Sequence, residues 1–528
     1  MNLKVLNLKS MDNYGKILIF MILISLLIKL IMIDQGMNIL LSKFLEDDAF
    51  YYYSLVLNII NGQGIVFNLG IPTNGFHPIY ALILIPVFYF THSFGDYVPV
   101  YISLVILSLF NVLTSIFLYL IVKNLFNKEA GLLTAFIWLF NPEIMFITLK
   151  GMEVPIQIFF ISILTYYLIK LNLNELNIRN SVIIGFLLGI IFLSRMDGFF
   201  LTLGVILALS IRFIKNRSID YSWQSNKIKS MVAILISAFI TVLPWILYNI
   251  LIVKQLLPVS LAAKNIIRSD QALHVGLYNN ILTTFYPSLV LLTQYFFFFI
   301  QKNVFNLAIL LLILIIFLLP PFYLVLKKDN PFIKVIKSLD FLIFSIIIFY
   351  LFYFFYGIMF REYYYLYTYF IFTIFLSIAL IRLFQIFKIK KVKLRYALII
   401  LLLIFTFILG GINRYDYGNL NPITFEVINY IDTNISPDQN IGNFNSGLLN
   451  YGTGRDFINL DGMMNPEAYN ARKAGMLEDY IMKKRIKYII DMPSSIKGIN
   501  NDKISLQYIK TFKGQKYGED LVLYKLNY

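Results

Sequence analysis

The sequence predicts a polytopic α-helical membrane protein that ends in a small α/β domain, and three observations lead there. The 528 residues are 59% hydrophobic and only 14% charged, with a mean hydropathy of +0.73, well outside the usage of soluble proteins. The apolar residues fall in repeated runs near the ~20 residues that a helix needs to cross a bilayer. Past Gly411 these runs give way to polar residues, turns and short alternating segments. The formal charge of +16 does not mark a nucleic-acid binder, because Lys and Arg collect in short loops between apolar runs, as cytoplasmic loops do. The absence of Cys excludes disulfides, thiolate metal sites and cysteine nucleophiles, and three His are too few for a His-built metal centre.

In chain order, Lys4, Lys9 and Lys16 precede the run ILIFMILISLLIKLIMI. No small-residue cleavage site follows, so this run reads as an anchor with a cytoplasmic N-terminus. An outer loop, 34–96, comes next. In it AFYYYSLVLNII reads as a short amphipathic helix, Asn61-Gly62 stops it, and His77-Pro78 opens another. The piece 78–92 is short, and as a full span it would strand Lys123 and Lys128 outside, so it is expected to lie in the interface or to re-enter.

Further spans are expected at 97–122, 130–148, 153–171, 181–195, 198–214, 231–252, 303–326, 339–357, 363–387 and 396–411, about eleven with the first. The segment 281–300 is expected to be an outer interfacial helix. Basic loops then fall in phase on the cytoplasmic side: Arg212 to Lys229, Lys327 to Lys337, and Lys388 to Arg395. An odd count leaves the region 412–528 outside, with 1–411 as the membrane module. In 412–528, FEVINYID and GMLEDYIMKKR read as helices, and NIGNFN, DFINL, KYIID, LQYIKTF and LVLYKL as strands.

The polar island Leu45 to Tyr80 holds the adjacent acids Asp47 and Asp48 beside Glu46. Taken alone they read as helix-capping residues. The chemical alternative makes one a general base and the other its orienting or cation-binding neighbour. The same face collects His77, the turn Lys150-Gly-Met-Glu153, Arg195 and Asp197, Lys264 with Arg268, and Arg361-Glu362. Each has an ordinary explanation: Glu153 as a cap, Arg195 paired with Asp197, Arg361 at the headgroups, Lys264 solvated, and His77 bonded to Asp47, bound to phosphate or simply packed. The tyrosine runs 51–53 and 363–365 read first as interface-belt residues and second as sugar-stacking faces. Acids and cations at several span ends on one side can nevertheless converge on one cavity. Such a cavity suits proton removal together with stabilisation of a departing phosphate.

The segments EDDAFYYYSLVLNIINGQGIVFN with PTNGFHPIY, then LKGMEVPIQIF, FLSRMDGFF, PWILYNILIVKQLLPVSLAAK and REYYYLY resemble, in this order, the GT-C glycosyltransferases that use polyprenyl-phosphate sugars. The resemblance is to the branch of the protein O-mannosyltransferase, aminoarabinose transferase and bacterial Rgt-type families. It implies a GT-C-like module, an inverting transfer from a polyprenyl-phosphate-linked sugar to a glycan, lipid or protein acceptor, and release of polyprenyl phosphate. Carried over, Asp47 matches the base, Asp48 its supporting neighbour, and Arg195, Lys264 and Arg361 the donor-phosphate group. The family's RPDG stands here as Arg195-Met196-Asp197-Gly198. Some relatives use a divalent cation; Asp48 is the residue that would hold one here. The implied location is a multi-pass position in a prokaryotic plasma membrane. The rival class is a transporter or flippase for a lipid-linked sugar, but neither internal repeats nor broken midplane helices are evident.

Overall fold

The computed structural model describes residues 12–171, 176–215, 221–271, 331–356, 362–386, 423–496, 499, 503–514 and 520–528. The helices expected at 281–300, 303–326 and 396–411, the 411/412 boundary and Arg361 lie outside the described residues. Among those described, α1 (Asn13–Ile33) opens where the Asp12 side chain accepts from the Gly15 amide at 2.9 Å, a side-chain N-cap. Then come α2 (Met37–Lys43), α3 (Asp47–Ile60), α4 (Pro78–Thr91), α5 (Val98–Leu125), α6 (Lys128–Phe140), α7 (Pro142–Thr148) and α8 (Val154–Lys170). They are followed by α9 (Ile178–Ser194), α10 (Gly198–Lys215), α11 (Tyr221–Tyr248), α12 (Val259–Gln271), α13 (Pro331–Ser338), α14 (Asp340–Tyr356) and α15 (Leu366–Ile386).

The segments Asn13–Ile33, Val98–Leu125, Asn226–Val253 and Tyr363–Gln385 are long and apolar enough to cross a membrane. Every span expected within the described residues coincides with helix, but 130–148 is two helices bent by 57°. Pro142 brings no amide to continue α6, and the Asn141 side chain accepts from the Ile144 amide at 3.2 Å to start α7 instead. Polar ties cross the bundle. Trp138 Nε1 donates to the Asn111 carbonyl at 3.1 Å, Thr134 and Ser377 share a hydroxyl bond of 2.5 Å, and Arg212 pairs with Asp340 at 2.6 Å.

α3 departs from its sequence pattern. Ala49 through Val56 are all buried, so it is a core helix and not an amphipathic one. It is enclosed by α4, by the turn at Gly151 and by the C-terminal domain.

That domain contains α16 (Ile423–Asn434), β1 (Asn440–Asn443), α17 (Gly447–Thr453), β2 (Phe457–Asn459), α18 (Pro466–Lys473) and α19 (Leu477–Lys483). It closes with β3 (Ile486–Asp491), α20 (Pro493–Ile496), β4 (Ser505–Phe512) and β5 (Leu521–Asn527). The sheet order is β2-β1-β3-β5-β4, with β2, β1 and β3 parallel and β5 and β4 antiparallel. Val427, Ile431, Ile441, Phe457 and Leu523 pack on one face, and Leu460, Ile481, Ile486, Ile489 and Leu526 on the other. Covered on both faces, the sheet buries Ile441 of β1, Ile486, Ile489 and Ile490 of β3, and Leu523 and Leu526 of β5.

The domain docks on the 45–96 segment. Asn68 Nδ2 donates to Asp456 Oδ1 at 2.6 Å and to the Phe457 carbonyl at 2.7 Å, while Asn68 Oδ1 accepts from the Asn459 amide at 3.0 Å. Tyr451 donates its hydroxyl proton to the Asp96 carbonyl. Two glycines permit the approach. A Cβ at Gly447 would stand 2.3 Å from the Asp47 carbonyl oxygen, and one at Gly75 would stand 2.1 Å from that of Met463, distances at which backbone must move.

Candidate active site

The start of α3, the turn before α8, the α9–α10 corner and the 3₁₀ turn Glu362–Tyr365 meet at one open cleft. Asp48, His77, Glu153, Arg195 and Lys264 all line it, with Tyr363 and Tyr364 between them. Asp48, His77, Glu153 and Arg195 sit at helix ends, where polar groups escape the apolar interior and find partners, while Lys264 reaches the cleft from within α12.

Arg195 follows the last residue of α9 and is 6% exposed. Its guanidinium donates to Glu153 Oε1 and, from Nε, to Asp197 Oδ2 at 3.1 Å. Gln157 Nε2 donates to the other Asp197 oxygen at 2.6 Å. The ordinary reading of Glu153 as a helix cap does not hold, since its side chain makes no cap bond and its carboxylate faces Arg195 instead. The guanidinium also lies over the rings of Tyr363 and Tyr364, 5.6 and 4.9 Å from their centroids, within cation–π range. Lys264 Nζ donates to the Tyr364 hydroxyl at 3.0 Å, and the Tyr363 hydroxyl donates to Asp48 Oδ2 at 3.2 Å. The two tyrosines thus join the acid wall to the cation wall. Tyr51, Tyr52 and Tyr363 are buried beside the cleft, which replaces the interface-belt reading of both tyrosine runs.

His77 Nε2 stands 3.6 Å from Glu153 Oε1. Burial, reinforced by the Arg195 charge, pushes the imidazole down to about 3, so it is neutral at physiological pH and accepts or donates without adding charge. Asp47 turns the other way. Its Oδ2 and Oδ1 accept from the Gly447 and Leu448 amides at 3.1 and 2.8 Å, and it is not part of the cleft lining.

A second cavity, with room for about one water molecule, also borders Arg195. Ile161, Leu201 and Phe349 give it apolar walls, and Arg195, Tyr363 and Tyr364 line both spaces. Among the described residues no group of three or more His, Asp or Glu side chains could hold a metal ion.

Residues 77–245 match the family described as dolichyl-phosphate-mannose-protein mannosyltransferase, and residues 413–524 match a domain of unknown function. No curated protein matches the chain by sequence. Among solved structures, the apo oligosaccharyltransferase of Archaeoglobus fulgidus is 16% identical, with 90% of this chain and 69% of that chain covered and a TM-score of 0.55. The archaeal oligosaccharyltransferase AglB of the same organism, in complex with an inhibitory peptide and a dolichol-phosphate, is 13% identical over 91% and 70%, with a TM-score of 0.57. ArnT from Cupriavidus metallidurans, bound to undecaprenyl phosphate, is 10% identical over 97% and 98%, with a TM-score of 0.50. The solved structures give the chain the GT-C type membrane fold, and residues 77–245 carry the match to a glycosyltransferase family.

Within this fold the site residues expected from sequence separate into two groups. Asp48, His77, Glu153, Arg195, Asp197 and Lys264 border one or both cavities; Asp47 binds the C-terminal domain. Sequence reasoning did not single out Gln157, Met463 or Met464, although the two tyrosine runs did flag Tyr51, Tyr52, Tyr363 and Tyr364. Nothing in the local pattern around Met463 and Met464 announces that they roof a cleft.

The buried acids carry a pH prediction. Burial pushes Asp47 up to about 8 and Asp461 up to about 7 from 3.8, with the charge of Asp48 adding to both and backbone amides opposing. The folded chain therefore keeps protons that the unfolded chain releases. The stability these groups give is complete below pH 3.8 and is lost as pH rises, to about 7 for Asp461 and about 8 for Asp47. Melting curves of the purified protein are expected to fall across this window, with a shallower fall in Asp47→Asn. An unchanged slope in that variant would remove Asp47 as a contributor.

Proposed function

We propose that this chain is a glycosyltransferase that moves a sugar, with inversion, from a polyprenyl-phosphate donor to a hydroxyl of a glycan, lipid or protein acceptor on the outer face of a prokaryotic plasma membrane. The topology proposed with it has eleven spans, a cytoplasmic N-terminus and the C-terminal domain outside. The observation that carries the reading is the position of Arg195 between a polar cleft and the apolar side chains Ile161, Leu201 and Phe349. A lipid-linked sugar phosphate has the same order of parts: an apolar tail, an anion and a polar head. Dolichol-phosphate in AglB and undecaprenyl phosphate in ArnT are ligands of that chemistry.

In this reading the tail runs out past the apolar side chains Ile161, Leu201 and Phe349, the phosphate meets Arg195 and Lys264, and the sugar projects toward Asp48. Arg361 is retained as a further phosphate-binding candidate. Asp48, and not Asp47, is proposed as the general base, because Asp48 borders the cleft while both oxygens of Asp47 face backbone amides. The acceptor oxygen attacks the anomeric carbon and its proton passes to Asp48. The bond between that carbon and the phosphate oxygen breaks, and polyprenyl phosphate leaves with the electron pair. Arg195 and Lys264 stabilise the growing negative charge. Glu153 and Asp197 hold the guanidinium in place and temper its charge, so that product can depart.

The test uses the enzyme in proteoliposomes supplied with radiolabelled polyprenyl-phosphate sugars and a membrane extract as the source of acceptors. Label is expected to leave the lipid and appear on an acceptor. Label that crosses the bilayer still attached to the lipid would support a flippase instead.

A further inference from the structure

The segment PTNGFHP contributes His77 to the cleft, yet its neighbour Asn74 is completely buried and lies outside the lining. Its side chain reaches a distant part of the chain. Asn74 Oδ1 accepts from the Val259 amide at 2.9 Å, and Nδ2 lies 3.4 Å from the carbonyls of both Gln255 and Leu257. Val259 is the first residue of α12, the helix that carries Lys264 into the cleft. A helix start has free amides, and Asn74 satisfies one of them from another loop.

The chain before α12 needs such a tie. After α11 it passes through a π-turn, Asn249–Val253, and then Lys254 takes a left-handed conformation with φ of 59°, a costly position for a residue with a side chain. The chain then bends at Leu256 and Leu257, whose side chains are exposed. Within this turn the Gln255 amide donates to the Asn249 carbonyl at 3.0 Å, and Asn249 Nδ2 lies 3.4 Å from the Leu256 carbonyl. From the other side, Tyr248 donates to the Thr73 carbonyl at 3.0 Å. This connection is thus bonded to Thr73 and Asn74, the two residues before Gly75, where the backbone of Met463 closes on the same segment.

We infer that Asn74 is a positioning residue for donor binding: it fixes the entry of α12 and thereby the place of the Lys264 ammonium opposite Asp48 and Arg195. The inference rests on the assignment of Lys264 to the donor phosphate. Asn74 touches no substrate; it acts through Lys264. Without this tie α12 can rotate or slide by a residue, and each residue turns a helix by about 100°, enough to carry the ammonium out of the cleft.

The test compares wild type, Lys264→Met, Asn74→Ala, Asn74→Asp and the double variant Asn74→Ala with Lys264→Met, each as full-length enzyme in nanodiscs. Two quantities are read: the dissociation constant for undecaprenyl phosphate, and hydrogen exchange of the amides from Val259 to Lys264. Lys264→Met is expected to weaken binding roughly tenfold, the loss of one charge-assisted bond. Asn74→Ala is expected to weaken it by a similar factor and to speed exchange at the start of α12. Asn74→Asp keeps the acceptor for Val259 and loses the two donations, so it should fall between wild type and alanine. The double variant should bind no worse than Lys264→Met, because a misplaced lysine has nothing left to lose.

Multiplying effects in the double variant, or normal binding in Asn74→Ala, overturns the role of Asn74. If Lys264→Met binds normally, the donor-site assignment fails. In that case exchange at Val259 still decides the structural half: faster exchange in Asn74→Ala keeps Asn74 as the anchor of α12, and unchanged exchange overturns it. Should Asn74→Ala not fold, Asn74→Asp with its own double variant carries the same comparison.

Discussion

Asp48→Asn is expected to slow sugar transfer by roughly 10²–10⁴-fold, the range for removal of a general base, while binding of undecaprenyl phosphate stays within about twofold of wild type, because the Asp48 carboxylate does not hold the phosphate. The asparagine keeps the size of the side chain and can still accept from the Tyr363 hydroxyl, so the cleft should keep its shape. Asp47→Asn is expected to behave differently. It retains one oxygen, and so one of the two bonds from the Gly447 and Leu448 amides. Its rate should fall less than about tenfold, the equivalent of one ordinary hydrogen bond, and its main effect should be on thermal stability. Steady-state transfer rates with a labelled donor, set beside melting temperatures, distinguish the two acids. A large rate loss in Asp47→Asn with a small one in Asp48→Asn would return the base to Asp47, as the family resemblance alone implies.

Arg195→Met is expected to be the most damaging single change at the site. It leaves Glu153, 1% exposed, and Asp197 without their cation, and an unpaired buried charge of this kind costs about 3–5 kcal/mol of stability. It also removes the guanidinium proposed to bind the donor phosphate. These two consequences can be separated. Adding Glu153→Gln removes the stranded carboxylate, so the pair of substitutions should recover much of the melting temperature without recovering affinity for undecaprenyl phosphate. Recovery of both would make Arg195 a purely structural residue and would end its donor role. Arg195→Lys should be intermediate, because one ammonium cannot meet Glu153 and Asp197 from two separate nitrogens as the planar fork does.

Much of the architecture is legible without coordinates because the bilayer acts as a strong and uniform solvent. Apolar runs such as those that become α1, α5 and α15 have few alternatives to helix, since every backbone amide in lipid must be satisfied locally. The domain strands are equally plain, with β1, β3, β4 and β5 each coming from a short apolar or alternating segment between turns. Where the pattern misleads, a tertiary partner or a local break is responsible. α3 reads as amphipathic because tyrosine hydroxyls, Ser54 and Asn58 are mixed with its aliphatic residues, yet α4, the Gly151 turn and the C-terminal domain cover its whole first half. The 130–148 run reads as one span, yet Pro142 and the side chain of Asn141 divide it.

By itself the sequence determined that this is a membrane protein with a distinct C-terminal α/β domain, and it marked acids, lysines and arginines at helix ends. Hydropathy and turn chemistry are local properties, readable over about one helix length. Only the tertiary structure decided which of two adjacent acids borders the cleft. Successive residues on a helix point about 100° apart, so Asp47 and Asp48 begin the same turn and end in different surroundings, one against the amides of α17 and the other against Tyr363. The pairing of Asn74 with Val259, 185 residues away, belongs to the same class of fact: a hydrogen bond between distant loops leaves no periodicity in either of them.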